Sequence, residues 1–295
     1  MNWLDTFPAL GAETLSALRR AIDGGFREFT RAYGEPLERL FDPLRDFLLF
    51  SERMLTQSPW PLVIGAIALI AWLASRSWKI VAGTIVTLLL IGWFGMWDDT
   101  MKTVAMIFVC TVVALVLGMP IGIAMSRSDR FQRLVNPVLD VMQTMPSFVY
   151  LIPVVMLLGI GRVPGLIAVV IYAIPPVIRF TNLGIRLVDK DLLEAADAFG
   201  SSVWQRLRQV QLPLALPTIM AGVNQTIMLS LAMVVIASMI GVQGLGQPVL
   251  KAIANQYFTM GLFNGLAIVG IAIIFDRVSQ AYGKRLQRHL EVQHG

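Results

Sequence analysis

Charged side chains gather in clusters along this chain, and long uncharged apolar intervals run between the clusters. Six intervals, 54–75, 80–97, 103–126, 141–161, 163–178 and 252–275, reach or approach the length that crosses a hydrocarbon layer of about 30 Å. A further run, 209–250, is too long for one helix and contains Gly241-Val-Gln-Gly-Leu-Gly246, so it predicts one span over about 215–240 and then a loop. The pattern predicts an all-α integral membrane protein with about seven transmembrane helices.

Residues 1–57 read as a separate region. Leu37, Leu40, Phe41, Leu44, Phe47 and Leu48 recur at helical spacing with Glu38, Arg39, Arg45 and Asp46 between them. Asp42-Pro43 predicts a helix N-cap followed by proline at the first helical position, and the whole predicts an amphipathic helix on the outer membrane surface. No small-residue cleavage pattern follows the first apolar run, so it reads as a true span. With the second, it makes an accessory pair over 58–97. From 98 to 282 the spans are rich in proline: Pro120, Pro137, Pro146, Pro153, Pro164, Pro175, Pro176, Pro213, Pro217 and Pro248 are expected to break or bound helices around a cavity. The pairs Gly118 with Gly122 and Gly261 with Gly265 would let helices approach closely. Residues 283–295 form a polar tail.

One interval breaks the apolar pattern. Residues 191–213, DLLEAADAFGSSVWQRLRQVQLP, read as two short soluble-looking helices. Asp191 with Glu194 predicts a capping box, and Leu192, Ala195, Ala196 and Phe199 fall on one face. Gly200 is expected to stop the first helix in the left-handed conformation. Ser202 with Gln205 predicts a second capping box, Val203, Leu207 and Val210 form the next apolar face, and Pro213 is expected to end it. Helices of about two turns are unstable alone, so packing must hold them. They are either a loop packed on its own membrane domain or a plug for a groove on a soluble partner.

Composition agrees with a membrane protein: 56% of the 295 residues are hydrophobic and 15% charged. Mean hydropathy is +0.68. The formal charge of +5 is explained by topology. If seven spans alternate, Arg76, Lys79, Arg127, Arg130, Arg133, Arg179, Arg186, Lys190, Arg206, Arg208, Arg277, Lys284, Arg285 and Arg288 share one side, which the positive-inside rule makes cytoplasmic. The N-terminus is then outside, and nucleic acid is not needed to account for the charge. Cys110 is the only cysteine, and His289 and His294 are the only histidines, both in the tail, so disulfide frameworks, metal clusters and Ser/His/Asp catalysis have no basis. No GxxxxGK[ST] loop occurs, so the chain cannot cradle ATP phosphates itself.

Glu194-Ala195-Ala196, Gly200 six positions after the glutamate, and Leu212-Pro213 resemble the EAA signature of ABC importer permeases, with Val210 where isoleucine is usual. Residues 194–200, 210–231 and 233–246 look close to the permease subunit of glycine betaine and proline betaine importers, and the similarity covers about 97–282. The resemblance implies the type I ABC importer permease fold in a bacterial cytoplasmic membrane, with the transmembrane domain over 98–282 and a cytoplasmic coupling loop at 180–213. It implies no enzyme activity or cofactor in this chain, ATP and Mg on a separate ATPase present in two copies, a second permease copy, and an extracytoplasmic substrate-binding protein. Glu194, Ala195, Ala196, Gly200, Leu212 and Pro213 would couple to that ATPase. The cargo would be glycine betaine, proline betaine or a related quaternary ammonium osmoprotectant. Choline, carnitine and an amino acid remain as alternatives.

A secondary transporter would hold ionisable groups near the midplane, and no span carries one deep in its apolar run. A channel would want polar rings, and only Asn224-Gln225-Thr226 and Gln143-Thr144 offer them; interhelical hydrogen bonding is the plainer job for both. The tryptophans Trp3, Trp60, Trp72, Trp78, Trp93, Trp97 and Trp204 fall at span ends, outside the core or on the loop helices, and read as interfacial. Met and aromatic faces tolerate a methylated cation without trapping it, so Met142, Met145, Phe148, Tyr150, Asn224, Met228 and Met233 are the candidate passage residues. Ordinary core packing is the alternative for all seven.

Overall fold

The computed structural model describes residues 10–294, with side-chain surroundings through Gln287. Trp3, His289 and His294 lie outside the described side chains. Every regular element among the described residues is helical. Two helices lead in, α1 (Ala12–Leu40) and α2 (Asp42–Thr56), followed by α3 (Trp60–Ser75), α4 (Trp78–Trp93) and α5 (Trp97–Arg127). Then come α6 (Asp129–Thr144), a 3-10 turn (Ser147–Tyr150), α7 (Leu151–Leu158) and α8 (Arg162–Arg186). The short α9 (Lys190–Ala198) and α10 (Val203–Gln205) precede a π-helical turn (Arg206–Gln211), α11 (Leu212–Ala237), α12 (Gly246–Asn255) and α13 (Phe258–His294).

Among the described residues, four helical stretches are long and apolar enough to cross a membrane: α5, α8, Val203–Ile240 and α13. Two bent pairs raise the number to six, and α4, at 16 residues, is shorter than that standard. The expected span over 54–75 divides: α2 meets α3 at 109°, so the crossing stretch begins at Trp60. The expected span over 141–161 divides too. Its first residues belong to α6, an amphipathic helix, which meets the Ser147–Leu158 stretch at 111°. The cause is local, because the residue before a proline is pushed out of the helical region, and Met145, preceding Pro146, sits at φ −67°, ψ 135°.

Other prolines do not break anything. Pro120, Pro137, Pro175, Pro176 and Pro217 lie inside continuous helices. Pro175 and Pro176 are buried between neighbouring helices, where packing supports a helix that has lost a backbone bond.

The core is α5, α8 and α11, with α13 against α11. Without a hydrophobic drive between helices in lipid, close approach of backbones must supply the contact. Gly122 does this: a Cβ there would stand 2.7 Å from the carbonyl oxygen of Ile178 on α8. Gly118 packs on the same face of α8, at Val177. Of the other expected pair, Gly261 faces Ala252 of α12, whereas Gly265 has open space beside it and closes no interface within the chain.

The N-terminal region is joined to this core. Phe41, not Asp42, caps α2, and Asp42 and Pro43 already lie within the helix. Through Leu48, which is fully enclosed, α2 packs on α5. Two hydrogen bonds mark the two ends of the core. The Leu245 N–H donates to Thr103 Oγ1 at 2.9 Å, and Arg186 Nη2 donates to the Met125 carbonyl at 2.9 Å. Thr103 and Met125 are separated along α5 by about 33 Å at 1.5 Å per residue.

Candidate functional site

The polar interval folds into a compact helix pair at the Met125 end of the core. The first helix begins differently from the sequence expectation. Asp189 is its N-cap, with Oδ1 accepting the Asp191 N–H at 3.0 Å, and Asp191 lies in the first turn. Two aspartates stand two positions apart, and the earlier one can cap because its backbone is extended, at φ −55°, ψ 134°. The Asp191–Glu194 capping box is therefore absent. Glu194 and Ala195 are exposed and Ala196 is half-buried.

The rest of the turn forms as the spacing implies. Gly200 adopts φ +77°, which a residue with a Cβ rarely takes, and nothing stands within 4 Å of the place its Cβ would occupy. The capping box at Ser202 is complete: Ser202 Oγ accepts the Gln205 N–H at 3.3 Å, and Gln205 Oε1 accepts the Ser202 N–H at 2.8 Å. An ion pair between Arg206 and Asp197 ties the two helices into one unit.

Pro213 does not end the second helix. The chain runs as one continuous stretch from Val203 to Ile240, with Arg206–Gln211 wound as a π turn. A π turn carries one extra residue, and it lies where the ring of Pro213 and its missing N–H would otherwise conflict with the preceding turn. Pro213 lies directly after this turn, as the second residue of α11. Leu207, fully enclosed, anchors this junction, Leu212 packs against the main core, and Arg127 at the end of α5 reaches the Val203 carbonyl at 3.4 Å.

What the pair leaves outside matters most. Phe199 is 92% exposed, and Val203 and Trp204 are also exposed. The reading of a loop folded flat onto its own membrane domain does not hold for these residues. They form an uncovered apolar rim on either side of Gly200, with the Glu194 carboxylate exposed on α9.

The candidate passage residues fall into two groups. Met142, Met145, Phe148 and Tyr150 straddle the α6–α7 break. The Tyr150 hydroxyl donates to the Met142 carbonyl, and its ring meets Tyr172 of α8 edge-on at 5.8 Å. Phe148 is exposed at 57%. On α11, Met228 is half-buried and Met233 is fully enclosed in the core. Asn224 faces α13: its amide donates to Asp276 Oδ1 at 3.1 Å, and the Ser279 hydroxyl donates to its oxygen. Interhelical bonding, the plainer expectation for Asn224, is what this contact is. Asp276 and Tyr172 escape sequence reasoning because Asp276 stands just past an apolar run and Tyr172 is one aromatic residue among many in such a run.

The family profile described as "Binding-protein-dependent transport system inner membrane component" matches residues 114–288, more than half of the chain and all of the coupling region. The chain belongs to this family. Its members are the membrane component of their transport systems, and the family description places that component in the inner membrane. The glycine betaine/proline betaine transport system permease protein ProW of Escherichia coli (strain K12) is 50% identical over 96% of this chain and 82% of its own length. The glycine betaine/carnitine transport permease protein GbuB of Listeria monocytogenes is 48% identical over 77% of this chain and 81% of its own. Among solved structures, the MetNI methionine ABC transporter in an inward-facing crystal form matches with TM-score 0.58 at 20% identity, covering 65% of this chain and 95% of the other. That likeness shows the type I ABC importer permease fold. The relatives are transport permeases, not enzymes.

Proposed function

We propose that this chain is the permease subunit of an ATP-driven importer that takes up glycine betaine, proline betaine or a closely related quaternary ammonium osmoprotectant. Two copies would work with two ATP-binding subunits, which carry the ATP and Mg, and with an extracytoplasmic protein that captures the cargo. The helix pair then faces the cytoplasm and the N-terminus lies outside, in keeping with the basic residues on the coupling side. The observation that carries the reading is the uncovered rim of Phe199, Val203 and Trp204 around Gly200, on a unit rigidly joined to a core helix.

Glu194, Ala195, Ala196 and Gly200 form the seat for the ATPase, and Leu212 and Pro213 carry its motion into α11. The small alanine side chains allow close approach, and Glu194 can accept hydrogen bonds from the partner. Because Val203–Ile240 is one continuous stretch, a displacement at the helix pair is carried along a lever of about 57 Å. The core helices then rock between two access states.

We place the passage at the α6–α7 break, with Met142, Met145, Phe148 and Tyr150, joined by Tyr172. Broken helices at membrane depth occur where they are enclosed by protein or line a cavity. Aromatic faces attract a methylated cation while offering it no counter-charge to hold it. Asn224 and Met228 would flank the path on α11, and Met233 supports it from behind.

The test is uptake by proteoliposomes holding this chain with its ATPase and binding protein. Labelled glycine betaine should accumulate only with ATP at the ATPase face and binding protein at the other. Carnitine, in the name of one relative, is the second cargo to try. Accumulation driven by an ion gradient without ATP would overturn the reading.

A further inference from the structure

At the end of the core opposite the helix pair, one carboxylate is withdrawn from solvent and given a cation. Glu52, in the last turns of α2, is 6% exposed. Arg162, the first residue of α8, donates from Nη1 to Glu52 Oε2 at 2.6 Å. Its Nη2 donates to Gln243 Oε1 at 2.5 Å. Gln243 belongs to the turn that leaves α11, and that turn is itself pinned. The Gly161 N–H donates to the Ile240 carbonyl at 2.9 Å, and the Leu245 N–H donates to Thr103 on α5. One guanidinium therefore joins α2, the start of α8 and the exit of α11.

The pair is not the only hold on α2, since enclosed Leu48 also packs it on α5. A buried ion pair is seldom the most stabilising choice for a site, because desolvating both charges offsets much of their attraction. What a guanidinium adds is geometry: a planar fork whose two nitrogens can hold two acceptors in fixed directions. Glu52 fills one direction, and the other nitrogen points at Gln243. Removing the carboxylate frees the fork to turn away.

We propose that Glu52 is a positioning residue for transport: it holds Arg162 against Gln243, so that the far ends of α8 and α11 open and close together when the coupling helices move. This rests on the reading of the chain as an ATP-driven permease. It also gives the segment before the first crossing helix a task in the cycle, through α2.

The experiment uses the complete transporter, this chain with its ATPase and binding protein, in proteoliposomes, and reads cargo taken up per ATP hydrolysed. Glu52→Gln and Arg162→Met should assemble and hydrolyse ATP while that ratio falls about fivefold, the low end of ordinary coupling between two sites. The exchange Glu52→Arg with Arg162→Glu should return the ratio to within about twofold of the parent, because a glutamine amide can donate to a carboxylate as well as accept from a guanidinium. Gln243→Leu leaves the Glu52–Arg162 pair intact, so it decides the matter if Glu52→Gln fails to assemble; it should lower the same ratio. An unchanged ratio in Gln243→Leu and Glu52→Gln, or losses of hydrolysis and uptake in equal proportion, would show a structural contact only and overturn the proposal. A parent complex without ATP-driven uptake would instead count against the permease reading.

Discussion

Two glycines in similar sequence settings have opposite surroundings. A Cβ at Gly122 would press on the backbone of α8, whereas one at Gly265 would meet nothing within 4 Å. Gly122→Ala should therefore lower stability by about 1–3 kcal/mol, the usual cost of overpacking. Gly265→Ala should be neutral or gain up to about 1 kcal/mol from helix propensity. Thermal melting of the detergent-solubilised protein checks both, and equal shifts would contradict the close approach of α5 and α8 at Gly122. Cys110 is fully enclosed between α5 and α8, its thiol 3.9 Å from the Leu166 carbonyl. Maleimide should label it only after denaturation. Single residues are the least legible level of the sequence. Asp191 and Asp189 are equally good caps by type, and only backbone direction chooses between them. The Glu52–Arg162 and Arg162–Gln243 partners lie 110 and 81 residues apart, beyond any local pattern.

At the scale of elements, uninterrupted apolar runs are the legible signal. They locate α5, α8, α11 and α13 but not all their ends: 163–178 stops eight residues short of Arg186, and 252–275 begins in α12, six residues before Phe258. Elements escape where the run hides a change of direction. Residues 141–161 contain no charge, yet Met145-Pro146 turns the chain by 111° inside them. Pro213 reads as a terminator because a π turn leaves no mark on hydrophobic periodicity. In the helix pair the left-handed Gly200 and the Ser202–Gln205 capping box are legible, since they depend on neighbours in sequence, whereas the first cap and the end of the second helix are not. Its exposed rim yields a separation of effects: Phe199→Ala should leave the melting temperature unchanged, because that side chain is almost wholly exposed. It should weaken co-purification with the ATPase at least about tenfold if Phe199 is an anchor of the interface. Loss of stability in this variant would mean that the rim is covered in the folded chain.

For the whole molecule, the two ends of one helical core have distinct equipment. One end presents an uncovered apolar rim on a rigid helix pair; the other joins α2, α8 and the exit of α11 through one guanidinium. Between them run α5, α8 and α11, brought close by small residues, with a broken helix beside them. Such a body is built to transmit displacement from one end to the other. In the proposed reading its task is mechanical, and the energy comes from the ATP-binding subunits. The most direct test compares the parent and Gly200→Asp in proteoliposomes holding the ATPase and binding protein, measuring labelled glycine betaine uptake with and without ATP. ATP-dependent uptake by the parent is expected, together with its loss in Gly200→Asp, where a side chain is forced into the left-handed turn at the docking rim. Full uptake by Gly200→Asp, or uptake by the parent without ATP, would contradict a permease driven through this turn.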